Sequence, residues 1–537
     1  MSKRTGLAGL VDYARREPFE VLLVVLVGHV LVWTLMPALL NANLQLDLAE
    51  DLALGKEWQL VYWKHPPLPW WIAAGLHQLT GDVRMIYVLG PLASAVAMWA
   101  VWRLGKDIVG GFPALVAVLA LEGLHFFNFS VIKFAHDQCQ LPFWALTMLL
   151  FHRALTRDET RARLISWALA GVFLALSFWS KYAAFALAAT LGLFLLVDRD
   201  ARKAWKTPGP YLMALAFALV IAPNAWALVE SDFLPFRYVD VRAKTAAQWW
   251  QFAWYPLQWT FGQLGFLLPT LALLALLYPL RPDAGAQRPL TLGDVDPNVI
   301  SPGAFDRRFL AWMALGPFAV TTLVAILLGR LPVAMWGYPL WSVLPLAVVA
   351  WRGVVFEDVR LIRFALGVVA VLVIMPLAYV LTEEVEPLLR DRPKATQFPG
   401  RRLADIVTRD FFEKTGQPLA YVTGTEFAAN NVAVYGPTRP HVIVHGKPEL
   451  SPWIDMADVK RRGVVIVWEP QGEGLVPEWM KTFPGATVRG RMTLPRQARG
   501  KVAPVVLQYA IVPPEGAPLI ILPPGTVPPP APVPPAK

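Results

Sequence analysis

The residues best suited to chemistry stand at the ends of apolar runs. Asp47, Glu50 and Asp51 lie three or four apart in NLQLDLAEDLALGKEW, where Leu44, Leu46, Leu48, Leu52 and Leu54 alternate with polar residues. That spacing predicts a short amphipathic helix along the membrane surface, holding carboxylates at the boundary between water and lipid. Lys64-His65-Pro66-Pro67 follows, and a prolyl pair removes backbone donors and forces extended geometry, so the helix must end before Trp70 and Trp71. Asp137 sits beside an apolar run in VIKFAHDQCQLPFW, where an ionised group is costly unless it faces the protein interior. Lys181 and Tyr182 form a tight connection between two further runs, and Arg237, Arg242, Lys244 and Arg330 fall in later loops of the same side. Carboxylates can take a proton from a reacting hydroxyl, and these cations can hold a phosphate.

Each residue also has a purely structural reading. Asp47 fits a solvated position on a surface helix. His65 and His136 fit interfacial hydrogen-bond partners, since no second His or Cys lies at metal-ligand spacing. Lys181 fits a hairpin cap or a side chain reaching for headgroups, and Arg237, Arg242 and Lys244 fit nonspecific contact with anionic lipid. A divalent metal bridging the acids is compatible with the sequence, but no ligand cluster demands one and no metal ligands are assigned.

The elements that position these residues are membrane helices. The chain has 537 residues, 56% of them hydrophobic and only 16% charged, with a mean hydropathy of +0.45, which excludes an ordinary soluble protein. The net charge of +10 is spread over short clusters between apolar runs, so it marks topology and not a nucleic-acid surface. Runs long enough to span lie near 19–40, 83–103, 108–127, 138–155, 164–180, 183–197, 211–229, 256–280, 309–329, 333–351 and 364–382, giving about eleven transmembrane helices. The first run is too long for a signal-peptide core. Every second loop is basic: Arg103 with Lys106, Arg153 to Arg163, Arg199 to Lys206, Arg281 with Arg307 and Arg308, and Arg352 to Arg363. These share a side with Lys3, Arg4, Arg15 and Arg16, so the N-terminus is expected in the cytoplasm and the candidate residues outside.

The expected division is a membrane domain over 1–385 carrying the first outer loop 41–82, a small outer α/β domain over 390–512, and a Pro-rich disordered tail over 513–537. Arg401 to Lys414 reads as a helix, and Leu419 to Thr423, His441 to Val444 and Val464 to Trp468 read as strands. The single Cys139 excludes an intramolecular disulfide.

Asp47 with Glu50, followed by Tyr62 or Trp63 and then Lys64-His65-Pro66-Pro67-Leu68, resembles the GT-C class of polytopic glycosyltransferases. The likeness is to the family 39-like bacterial enzymes, related to protein mannosyltransferases and to the aminoarabinose and galacturonic acid transferases of lipid A. Their first loop carries a D-E or D-x-x-E element and then Y-x-K/H-P-P-L; here Leu48 follows Asp47, so the adjacent D-E pair is not intact. Asp137 matches the second acidic motif and Lys181-Tyr182 a recurring S-K-Y or T-K-G element.

The resemblance implies a bacterial inner-membrane enzyme that transfers one sugar from a polyprenyl-phosphate donor to an extracytoplasmic acceptor, whether glycan, lipid A core or protein, with inversion. Asp47 would be the general base, with Asp137 and Glu50 as further catalytic carboxylates. Lys64, His65, Lys181, Tyr182, Arg237, Arg242 and Arg330 would hold the donor phosphate, with no cofactor beyond the lipid-linked sugar. Two rivals are a transporter or flippase of a lipid-linked precursor, which needs polar residues along a path through the whole membrane, and a non-catalytic assembly protein whose outer domain recruits partners.

Overall fold

The computed structural model describes residues 6–278, 301–352, 357–470 and 477–516. Arg281 and the Pro-rich sequence beyond residue 516 lie outside the described residues. The chain falls into two compact units. One draws on Met1–Met36, Lys64–Leu68 and Tyr87–Tyr379; the other on Pro37–Trp63, Pro69–Ile86 and Val380–Lys537. Most of the first outer loop, expected with the membrane domain, therefore clusters with the C-terminal residues, while Lys64–Leu68 belongs to the first unit.

The first unit is helical. Among the described residues, seven helices are long and apolar enough to cross a membrane: Pro18–Leu40, Val83–Val109, Thr160–Ser180, Gly209–Glu230, Gln251–Ala275, Ala304–Leu328 and Asp358–Leu389. An eighth candidate is a pair, Gly111–Gly123 and His125–Ile132, bent by 94°. The other three of the expected eleven runs differ for local reasons. His136–Thr156 is a helix of 21 residues whose first turn is polar, Phe185–Val197 has only 13 residues, and the run 333–351 is broken into a short 3-10 turn, Ala334–Gly337, and the α-helix Leu344–Arg352. Hydropathy averages over such breaks, because a turn made of apolar residues is as greasy as a helix.

His136–Thr156 and Thr160–Ser180 form an antiparallel hairpin joined by three residues. Its core is aromatic: Trp144, Phe151 and Trp167 are all within 1% exposure. In the same unit a two-residue antiparallel ribbon pairs β1, Lys244–Thr245, with β2, Arg330–Leu331.

The second unit contains a five-stranded sheet. Its strands are β3 (Tyr421–Gly424), β4 (His441–Ile443), β5 (Val464–Trp468), β6 (Thr487–Leu494) and β7 (Val505–Val512), in spatial order β4-β3-β5-β7-β6. β3 is parallel to β4 and β5, and parallel neighbours require crossovers, here the helices Glu426–Tyr435 and Met456–Arg462. β5, with the sequence VVIVW, is buried at every residue, as a central strand covered on both faces must be. The antiparallel β6–β7 pair completes the sheet. The expected helix and strands appear as Gly400–Thr415, β3, β4 and β5; the β6–β7 pair was not expected.

Candidate functional site

In the first unit the hairpin brings Asp137 and Lys181 together. Asp137 occupies the first turn of His136–Thr156, where unpaired backbone N–H groups favour a carboxylate. Lys181 follows the last residue of Thr160–Ser180 in extended geometry. Antiparallel packing sets the start of one helix beside the end of the other, and Lys181 Nζ donates to Asp137 Oδ1 at 2.6 Å. Both side chains are 8% exposed. The same ammonium lies 6.0 Å from the centre of the Trp336 ring. Next to the pair, Ser180 Oγ donates to Cys139 Sγ at 3.3 Å.

The Lys64–Leu68 segment adds the second layer. The His65 and His136 rings are 4.1 Å apart, and His136 Nε2 lies 3.2 Å from the Pro66 carbonyl, which assigns the His136 proton to Nε2. Tyr238, from the helix Leu234–Arg242, meets His65 edge-on at 5.5 Å and has Lys64 Nζ 5.8 Å from its ring centre. Burial holds the His65 imidazole well below its usual pKa, reinforced by His136, Lys181, Lys64 and Arg242. His65 is thus a neutral donor or acceptor close to cationic side chains, an arrangement suited to a bound phosphate.

The remaining predicted phosphate ligands, Tyr182, Arg237 and Arg330, make contacts of their own. Tyr182 OH donates to Asn224 Oδ1 at 3.3 Å and its ring stacks on Phe236. Arg237 is exposed and paired with the exposed Asp232. Arg330 lies on β2 and donates from Nη1 to the Ala243 carbonyl at 3.3 Å. The structure brings together Lys64, His65, Asp137 and Lys181, with Arg242 near enough to act on the charge of His65, and adds two residues that spacing did not assign to the site, His136 in a pairing role and Tyr238. An aromatic in a basic outer loop was the available signal for Tyr238, and nothing local distinguishes it from its neighbours.

In the second unit the helix Leu46–Gly55 forms as expected, but it is no surface helix. Leu48 to Gly55 are all buried, against the helix Glu426–Tyr435. Asp47 is half-buried, whereas Glu50 and Asp51 are 3% and 1% exposed. The leucine alternation was read as one wet and one greasy face; from Leu48 onward both faces are buried. Tyr62 closes the loop, its hydroxyl donating to the Leu54 carbonyl at 3.0 Å and accepting the Gln59 N–H at 3.1 Å. Among the described residues no group of three or more His, Cys, Asp or Glu is placed to hold a metal ion.

Residues 64–226 match the family described as dolichyl-phosphate-mannose-protein mannosyltransferase, a segment that begins at Lys64 and includes His65, Asp137 and Lys181. Among solved structures, ArnT from Cupriavidus metallidurans in the apo state superposes with a TM-score of 0.58 at 12% identity, over 93% of this chain and 98% of that one. The chain has an ArnT-like fold. The structure of the same ArnT bound to undecaprenyl phosphate gives a TM-score of 0.55 at 12% identity, over 91% and 97% of the two chains. No curated protein matches the chain by sequence. The GT-C resemblance read from the first loop, and the polytopic helical fold with a small C-terminal sheet, both hold.

Proposed function

We propose that this protein is a polytopic inner-membrane glycosyltransferase that moves one sugar from a polyprenyl-phosphate donor to an extracytoplasmic hydroxyl. The N-terminus would be cytoplasmic and the C-terminal unit periplasmic, as the basic loops imply. The observation that carries the reading is the gathering of Lys64, Lys181 and Arg242 around neutral His65, with one buried carboxylate, Asp137. Cations gathered beside a neutral imidazole suit a departing lipid phosphate. The fold shared with a protein crystallised with undecaprenyl phosphate supports the same donor class.

In the reaction the acceptor oxygen attacks the anomeric carbon while the bond from that carbon to the phosphate oxygen breaks. Asp47 takes the acceptor proton, and the polyprenyl phosphate leaves with the electron pair, inverting the centre. Phosphate is a weak base, so its departure needs charge stabilisation more than a general acid. Lys64, Lys181, Arg242 and His65 supply it. Asp137 orients Lys181, and Glu50, buried beneath Asp47 on the same helix, supports that helix.

The test is transfer in nanodiscs containing a polyprenyl-phosphate sugar and envelope acceptors, following release of polyprenyl phosphate. Wild type should release it only with acceptor present, and Asp47→Asn should insert normally and lose turnover. Wild-type-like turnover by Asp47→Asn removes that residue as base. Movement of the lipid-linked sugar between leaflets without cleavage would instead establish the flippase.

A further inference from the structure

The helix bearing Asp47 is clamped at both ends by the C-terminal part of the second unit. Before it, the Asn43 N–H donates to the Thr396 carbonyl at 2.9 Å, the Asn43 amide donates to the Ala395 carbonyl at 3.2 Å, and the Leu44 N–H donates to the Tyr435 hydroxyl at 3.2 Å. In its last turn, the Leu52 carbonyl accepts from Arg439 Nη2 at 3.1 Å. Lys56 Nζ donates to the Pro440 carbonyl at 2.8 Å and to that of Arg439, and Glu57 pairs with His441 at 2.8 Å. Tyr435 is itself fixed by the Arg401 guanidinium, 4.7 Å from its ring centre.

Arg439 has a left-handed φ of +45°, a conformation that costs a non-glycine residue on the order of 1–3 kcal/mol. Its strained turn directs both its carbonyl and its guanidinium to the loop helix. Leu44 stands three residues before Asp47, so the Tyr435 hydrogen bond holds the backbone that leads into the carboxylate.

We propose that Tyr435 and Arg439 are positioning residues for the reaction, fixing the Asp47 helix so that the C-terminal unit is part of the catalytic apparatus. This role rests on Asp47 being the base. A base must be held to a fraction of an ångström, and a shift of about 1 Å can cost about a hundredfold in rate. Tethers on both sides of the helix restrict such shifts; an accessory domain would need none of them.

Tyr435→Phe and Arg439→Met, made in the full chain in nanodiscs, test the role. Tyr435→Phe keeps the ring under Arg401 and deletes only the hydroxyl. Each variant should lower kcat per folded enzyme by about tenfold or more while KM for the lipid donor stays within about twofold, because the phosphate cluster is untouched. A merely structural role would lower yield and Tm but leave kcat per folded enzyme unchanged. Absence of transfer by the wild type would remove the transferase reading and this role with it. Transfer by the wild type with unchanged kcat in both variants removes the role alone. If either variant fails to insert, hydrogen exchange on the wild type decides: amides of Leu48–Gly55 should be protected as long as those of Glu426–Tyr435, and exchange about a hundredfold faster in the loop helix overturns the clamp.

Discussion

Lys181 Nζ stands 2.6 Å from Asp137 Oδ1 at the open end of a helical hairpin, both side chains almost fully buried. Removing one member of a buried ion pair leaves an uncompensated charge, at a cost of about 3–5 kcal/mol, whereas removing both relieves it. Lys181→Met and Asp137→Leu should each lower Tm sharply in detergent, and the double variant should recover more than half of the loss. Under the proposed mechanism donor-phosphate binding should remain absent from the double variant, because it lacks the Lys181 ammonium. Additive losses in Tm would show that the two residues are not coupled.

A second expectation concerns pH. His65 has a folded pKa well below 6.5, from burial first and then from His136, Lys181, Lys64 and Arg242. In the unfolded chain His65 takes up its proton near pH 6.5, while in the fold it stays neutral, so the unfolded state binds more protons below that pH. Stability is therefore full above pH 6.5 and declines as pH falls toward the folded pKa, by up to about 1.4 kcal/mol per pH unit for one group. His65→Gln should flatten that decline in thermal unfolding curves recorded from pH 7 to 5. An equally steep decline in the variant would assign the effect to other groups.

Gly90 supplies a third test. It begins the helix Leu89–Val109 opposite the Val131 carbonyl, and a Cβ there would run into that oxygen. Val131 lies in the segment that leads into His136 and Asp137. Gly90→Ala should cost about 1–3 kcal/mol as an overpacked contact and displace the Asp137 end of the hairpin. Transfer per folded enzyme should fall with Tm. Retention of both would mean the segment can move aside freely.

What could be read from the sequence is bounded by what is local. The prolyl pair after His65 was read as a helix break; Leu46–Gly55 already ends before the pair, and Leu68–Thr80 begins directly after it, because Pro acts on its own backbone. Asp137 and Lys181 were both legible as charged groups beside spans, since burying a charge in lipid is costly wherever it occurs. Their pairing was not legible, and neither was the meeting of His65 with His136, because packing between elements joins residues far apart in the chain. The Asp47 helix shows the limit most clearly. Its leucine pattern gave its existence, but an amphipathic face says nothing of whether lipid, water or a folded domain covers it, and here Glu426–Tyr435 does.

In the first unit the chain bends by 94° between Gly111–Gly123 and His125–Ile132. Glu122, fully buried there, accepts from His29 Nδ1 at 3.0 Å and from Asn128 Nδ2 at 2.7 Å. His29 belongs to the helix Pro18–Leu40 and Asn128 to the bent segment, so one carboxyl group ties the break to its neighbour. Glu122→Gln keeps a single acceptor oxygen and should cost about 1–3 kcal/mol. Glu122→Leu leaves both donors buried and unpaired and should cost more than the Gln variant, with increased proteolysis around residues 120–132. Because the network touches no proposed substrate ligand, kcat per folded enzyme should hold in Glu122→Gln even as Tm falls. A Leu variant as stable as wild type would mean that apolar packing alone sets the bend.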